Sequence, residues 1–258
     1  MPGDSVGPPA RCLTMDFSWS QTEQYKEEGY TVVRGLLSAE EAGPLRQRLL
    51  DIFHGNHDWP RHHFQVLDPS KFRHPTGGLV PWGVQLPAKR ELVFREIADH
   101  PNLQTVMTRL LGGPVERFTD QALIKSPGIN GHSFYHQDSY YWRLEPGVGC
   151  NAWIALDTVG KDSIAPAILP GTHRSWTLAP HEEYYDEPTF HGPDGHAFKR
   201  LRIPLSEVDH ARERVLELLP GDAVFFTNFT WHRAEVNRSG QHKCAYAVAY
   251  RRISPGRT

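Results

Sequence analysis

The sequence predicts a mainly β protein with flanking helices, a sandwich or jelly roll resting on an N-terminal helical layer. Three observations carry that expectation. The 258 residues include 22 glycines and 21 prolines, a bias toward turns and short strands. The second half breaks into eight candidate strands punctuated by turn residues. The first half instead places apolar residues at helical spacing.

Residues 1–15 read as a flexible tail and 16–258 as one domain. Within it, 16–112 form a helical support with a long loop, and 113–258 form the β-barrel, interrupted by an insertion at 178–199. Gln21–Glu28 is polar and helix-prone and stops at Gly29. Tyr30–Val33, β-branched and aromatic, reads as a strand. Ser38 and Glu41 form a capping box, followed by Leu45, Leu49, Leu50 and Phe53 on one helical face. Pro44 predicts that the regular part of this helix begins after Gly43.

Residues 54–87 carry His54, His57, His62, His63 and His74 with no clear period, which reads as a functional loop. From 88 to 111 helical spacing returns, split into two helices at Pro101 and ended by Gly112-Gly113-Pro114. The predicted strands are Val115–Lys125, Ser133–Asp138, Asn151–Leu156, Ala165–Ile168, Arg214–Leu218, Ala223–Thr227, Trp231–Val236 and Lys243–Arg252.

Composition excludes several functions. With 28 Lys+Arg against 30 Asp+Glu, the chain lacks the basic surplus of a nucleic-acid surface. No run of about 18 apolar residues exists to span a membrane, and Met1–Thr14 has no apolar stretch for a signal peptide. Cys12, Cys150 and Cys244 are odd in number and lack CxxC spacing, so a reducing, cytoplasmic location is expected. A small-molecule partner is the remaining expectation. The sequence does not fix an oligomeric state.

The chemistry-bearing segment is Ser133-Phe134-Tyr135-His136-Gln137-Asp138-Ser139. On a strand, His136 and Asp138 project to the same face about 6–7 Å apart and can share a metal. An HxD pair also arises as a rim histidine beside a surface aspartate, so it does not stand alone. Far downstream, Pro220-Gly221-Asp222 feeds an apolar strand, and His232 opens the next one. Together His136, Asp138 and His232 form a 2-His-1-carboxylate facial triad, which suits non-haem Fe(II) and leaves one face open.

With these motifs in order, the sequence resembles the phytanoyl-CoA dioxygenase-like family of Fe(II)/2-oxoglutarate-dependent oxygenases. The resemblance is carried by His136-Gln137-Asp138, Ala152-Trp153-Ile154-Ala155-Leu156-Asp157, Leu169-Pro170-Gly171-Thr172-His173, Pro220-Gly221-Asp222, and His232 with Asn237-Arg238-Ser239. It covers roughly residues 20–252. It implies a double-stranded β-helix (cupin-like) barrel, with Fe(II) held by His136, Asp138 and His232. It also implies that 2-oxoglutarate and O2 are consumed while an unactivated C–H bond is oxidised. Hydroxylation is the default outcome, and cyclisation, desaturation and epimerisation are open to the same chemistry.

The family anchors the far carboxylate of 2-oxoglutarate with an Arg eleven residues after the distal His. Here that position is Lys243, and Ala234 stands where Ser or Thr is usual. Lys243 is the expected anchor, with a solvent-pointing lysine as the alternative. Ala245, Ala247 and Ala249 share its strand face and suit a face crowded by a ligand. By resemblance Trp153 and Gln121 line the co-substrate pocket, each with ordinary packing as the alternative, and His173 fixes a turn.

Tyr140, Tyr141 and Trp142 would stand at the barrel mouth. In the insertion, Glu182 and Glu183 belong to an acidic, tyrosine-bearing cluster that would attract an amino-bearing sugar or amino-acid derivative, or form a solvated loop. A tailoring enzyme of secondary metabolism, such as antibiotic biosynthesis, fits these features. A cupin-like metal-dependent isomerase or hydrolase that does not use 2-oxoglutarate remains the alternative.

Overall fold

The computed structural model describes residues 17–75, 77–127, 133–184, 190–192, 194–197 and 200–253. Cys12 and part of the acidic insertion, including Tyr185, Asp186 and Glu187, lie outside them. The N-terminal part holds α1 (Trp19–Glu28), β1 (Tyr30–Val33), α2 (Ala39–Phe53), β2 (Phe64–Leu67), β3 (Pro81–Gln85), α3 (Leu92–Ala98) and α4 (Pro101–Leu111). Next come β4 (Val115–Lys125), β5 (Ser133–His136), α5 (Asp138–Trp142), β6 (Gly149–Ala155) and β7 (Pro166–Ile168). The insertion holds β8 (Glu182–Tyr184) and β9 (Phe190–His191), and β10 (Arg200–Arg202) follows it. The chain closes with β11 (Arg214–Val215), β12 (Ala223–Thr227), β13 (His232–Ala234) and β14 (Lys243–Arg252).

Two sheets dominate. The larger has eight strands in the order β1-β12-β6-β14-β4-β3-β2-β9, and the smaller has four in the order β11-β7-β13-β5. The inner face of the larger sheet packs Trp153, Ala155, Val224, Phe226 and Ala245 against Ile164, Ala165 and Ile168 from the smaller sheet's side. Its outer face is covered by the helices. Alternation along β4 shows the division, because Ala122 and Ile124 join the helical core while Leu123 packs inside. The expected jelly-roll architecture with helical support is therefore the observed one.

Helix α2 buries Ala42, Leu45, Leu49, Ile52 and Phe53. Each large side chain of that stripe contributes about 1.5–3 kcal/mol. Its capping box forms as expected, with Ser38 Oγ accepting from Glu41 N and Glu41 Oε2 accepting from Ser38 N. The helix nevertheless begins at Ala39 and runs through Pro44. The capping box closes the first turn, so the proline does not set the start.

Four expectations need correction. Residues 54–87 are not only loop, since β2 and β3 add to the edge of the larger sheet beside β4. Short strands flanked by proline and histidine carry no readable period, and their pairing with β4 is what defines them. The strand expected over Ser133–Asp138 ends at His136, and Asp138 is the first residue of α5. The strands expected at Arg214–Leu218 and Trp231–Val236 are likewise shorter than expected.

Candidate metal centre

Strands β5 and β13 pair antiparallel with His136 directly opposite His232. Side chains of such a pair stand side by side on one face, and the two imidazole centroids are 4.3 Å apart. His136 Nδ1 donates to Phe134 O and His232 Nδ1 donates to Thr230 O, both at 3.0 Å. Each bond fixes the tautomer that leaves Nε2 unprotonated and turned toward a third donor. That donor is Asp138 Oδ1, at 3.8 Å from His136 Nε2 and 3.5 Å from His232 Nε2.

Asp138 reaches this point from the first turn of α5, not from strand alternation. Ser139 N donates to Asn228 O at 2.9 Å, and Asn228 Nδ2 donates back to Ser139 Oγ. Between the two ligand positions, Gln137 is fully buried and faces away from them. It donates to Thr177 O and Phe229 O and accepts from Ala179 N. Its side chain thus ties the strand end to two neighbouring loops. Asn151 Nδ2 donates to Asp138 Oδ2 at 3.0 Å, so one carboxylate oxygen is occupied and the other faces the histidines.

The three donor atoms lie within 4.8 Å of one another. Among the described residues no other group of three His, Cys, Asp or Glu meets that geometry. Burial pushes both histidines down to about 4, with His232 adding to the effect on His136. Burial pushes the Asp138 carboxyl up to about 6. At neutral pH the trio is therefore two neutral imidazoles and one carboxylate, the donor set that a divalent cation requires. The residues fit iron, and the fit rests on tautomers and donor geometry.

Beside the trio opens a cavity of about 340 Å³. Its wall includes Gln121 of β4, Ser133 of β5, Asn151 of β6, and Ala247 and Ala249 of β14. Sequence reasoning missed three other contributions. Trp82 and Gln85 of β3 and Gln65 of β2 come from the segment expected to be loop, and Arg200 comes from β10, whereas Tyr184 belongs to the tyrosine-bearing cluster already singled out in the insertion. No pattern in the sequence reveals these, because distant strand pairing brings them in. Asn151 did carry a signal: an amide at the start of an apolar strand.

The other expected site residues divide. Gln121 lines the cavity and donates to Gln65 Oε1 at 2.9 Å. Trp153 is buried between the sheets, in register with Ala247 of β14 and Val224 of β12. Tyr141 and Trp142 line the cavity. Tyr140 stacks on His181, with centroids 4.1 Å apart, and lines a neighbouring depression with Phe229. Glu182 and Glu183 are exposed and outside the cavity, and Glu182 pairs with Arg202 at 2.7 Å. Lys243 Nζ donates to Thr158 O at 3.0 Å and lines a separate depression. His173 accepts no role at the trio. Its Nε2 bonds Lys26 O at 3.0 Å, fixing the turn to α1.

Cys150 and Cys244 are buried free thiols. Among the described residues no helix is long and apolar enough to cross a membrane.

Comparison with known proteins is consistent with this geometry. The sequence profile described as Phytanoyl-CoA dioxygenase (PhyH) matches residues 25–245. A Caenorhabditis elegans protein described as "Probable phytanoyl-CoA dioxygenase" is 27% identical over 244 residues, covering 90% of this chain and 75% of that protein. Among solved structures, EvdO2 from Micromonospora carbonacea var. aurantiaca complexed with 2-oxoglutarate superposes with a TM-score of 0.68. It is 20% identical and covers 92% of this chain and 91% of that one. The epimerase SnoN in complex with Fe3+, alpha ketoglutarate and nogalamycin RO gives a TM-score of 0.64 at 20% identity. That match covers 93% of this chain and 90% of the other. At these identities the structural matches establish the shared fold.

Proposed function

Because the chain belongs to the phytanoyl-CoA dioxygenase family of Fe(II)/2-oxoglutarate-dependent dioxygenases, we propose that His136, Asp138 and His232 hold its iron while it oxidises an unactivated C–H bond of a small molecule. The observation that carries this reading is the convergence of His136 Nε2, His232 Nε2 and Asp138 Oδ1 on one point beside a cavity of about 340 Å³. When bound, iron supplies a centre that can chelate 2-oxoglutarate and activate O2 on its open face.

The protein's own part is to hold and orient. Phe134 O and Thr230 O fix the two imidazoles, and Asn151 fixes the carboxylate. Trp82, Tyr141, Trp142 and Tyr184 supply ring faces around the cavity, and Gln65, Gln85 and Gln121 supply amides. Aromatic faces with interleaved amides suit a ring-bearing, hydroxyl-rich molecule. The volume suits a small natural product or one end of a larger one.

This favours a tailoring step in secondary metabolism, antibiotic biosynthesis included, with hydroxylation as the default outcome. SnoN, whose structure is described as that of an epimerase from nogalamycin biosynthesis, supports this setting by fold likeness. The amino-bearing sugar or amino-acid derivative expected from Glu182 and Glu183 loses its support, since both carboxylates stand outside the cavity.

The test is oxygen-dependent conversion of 2-oxoglutarate to succinate by the iron-loaded protein, assayed against a panel of glycosylated and polyketide-type small molecules. Substrate-stimulated succinate formation that is lost in His232→Ala supports the reading. Succinate formation that the panel never stimulates counts against this substrate class.

A further inference from the structure

Lys125 ends β4 on the inward face that also carries Gln121 and Leu123. It is 5% exposed. Its Nζ donates to Glu235 O at 3.0 Å, and among the described residues that is the one hydrogen bond of its three donors. The Glu235 carboxylate does not serve it. Arg233 holds Glu213 at 2.7 Å and Glu235 at 2.8 Å, and Glu213 also takes the Tyr135 hydroxyl. A buried ammonium is costly without an anion.

The active-site cavity has in its wall Arg200, whose charge acts on this amine. Its wall reaches Ser133, whose Oγ accepts from Ala234 N at 2.7 Å. The next residue is Glu235, the carbonyl partner of Lys125. Ala234 precedes Glu235 in the chain, and Ala245 pairs with Leu123, two residues before Lys125 on the same strand. Lys243 is the register partner of Lys125 on β14, but its amine turns outward to Thr158 O.

The geometry points to Lys125, and not Lys243, as the cation that receives the far carboxylate of 2-oxoglutarate. This rests on the oxygenase reading above. The groups facing Lys125 are Arg233 of β13, Glu235 just beyond that strand, Arg200 of β10, and Lys243, its register partner on β14. Burial, with Arg200 and Arg233 adding to it and Glu235 opposing, lowers the Lys125 amine to about 7. An incoming dianion favours the ammonium form, so above neutral pH binding takes up a proton. Affinity for 2-oxoglutarate then falls as pH rises through about 7.

The experiment is anaerobic calorimetric titration of the Fe(II)-loaded protein with 2-oxoglutarate, in buffers of different ionisation enthalpy, with the visible charge-transfer band followed in parallel. The wild type should take up a proton on the alkaline side of neutrality. Lys125→Met should weaken binding by roughly 100-fold and abolish the uptake, and Lys125→Arg should recover much of the affinity. Lys243→Met should change affinity by less than about threefold.

Normal binding by Lys125→Met overturns the proposal, and loss in Lys243→Met would return the role to Lys243. Lys125→Arg that binds 2-oxoglutarate no better than a folded Lys125→Met also overturns it. Absence of the band from the wild type overturns the oxygenase reading itself, and this inference with it.

Discussion

Asn151 donates its amide N–H to Asp138 Oδ2 at 3.0 Å, and this bond decides which carboxylate oxygen faces the two histidines. The bond also favours the ionised form of Asp138 against the desolvation that raises its pKa. Asn151→Ala should therefore raise the Asp138 pKa further and weaken Fe(II) binding about 10- to 100-fold. Anaerobic metal titration measures this directly. An unchanged affinity would mean that α5 alone orients the carboxylate.

Protons should compete with iron in two stages. Asp138 titrates at about 6 in the metal-free protein, and the two histidines at about 4. A cation binds the deprotonated forms, so affinity is constant above about pH 6 and falls about tenfold per unit below it. Below about pH 4 the histidines join and the fall steepens. A single steep loss centred near the ordinary histidine range would contradict the assigned environments.

The middle residue of the ligand motif carries a stability prediction. Gln137→Leu leaves Thr177 O, Phe229 O and Ala179 N without their side-chain partner in a buried region. Each lost buried partner costs about 1–3 kcal/mol, so the chemical midpoint should drop clearly. Metal binding should also weaken, because the strand end that aims His136 is no longer tied down. A variant with wild-type stability would show that water replaces the amide.

The order of His136, Asp138 and His232 made the centre legible in sequence, as did the turn and strand before His232. Strands β4, β12 and β14 were legible to the residue because they are long or strictly apolar. Strands β2 and β3 were not, since a four- or five-residue strand beside prolines shows its identity only through its neighbour. Lys125 illustrates the harder case. Its charge sits at an inward position of an alternating strand, which is a readable signal, but nothing in sequence says which of two facing lysines turns inward. The position of Asp138 was foreseen for a different reason from the real one. Strand alternation was expected to align it with His136, whereas the turn into α5 does so.

Gly29 links the helical layer to the centre. It adopts φ +83°, and a Cβ there would meet His173 Nδ1 and Thr230 Oγ1 at 2.5 Å. Its carbonyl accepts from Thr230 Oγ1 at 2.7 Å, and Thr230 O in turn orients His232. Gly29→Ala should destabilise the fold by about 2–4 kcal/mol and weaken iron binding as well. Denaturation with and without Fe(II) checks both, and a stability loss that leaves metal affinity untouched would break the proposed link.

The most direct test of the central claim is to add Fe(II) and then 2-oxoglutarate to the purified protein without oxygen and record the visible spectrum. The account predicts a weak charge-transfer band in the wild type and none in His136→Ala. Iron that binds at the trio while 2-oxoglutarate produces no band would contradict it. A cupin-like metal enzyme that does not use 2-oxoglutarate would then be the better description.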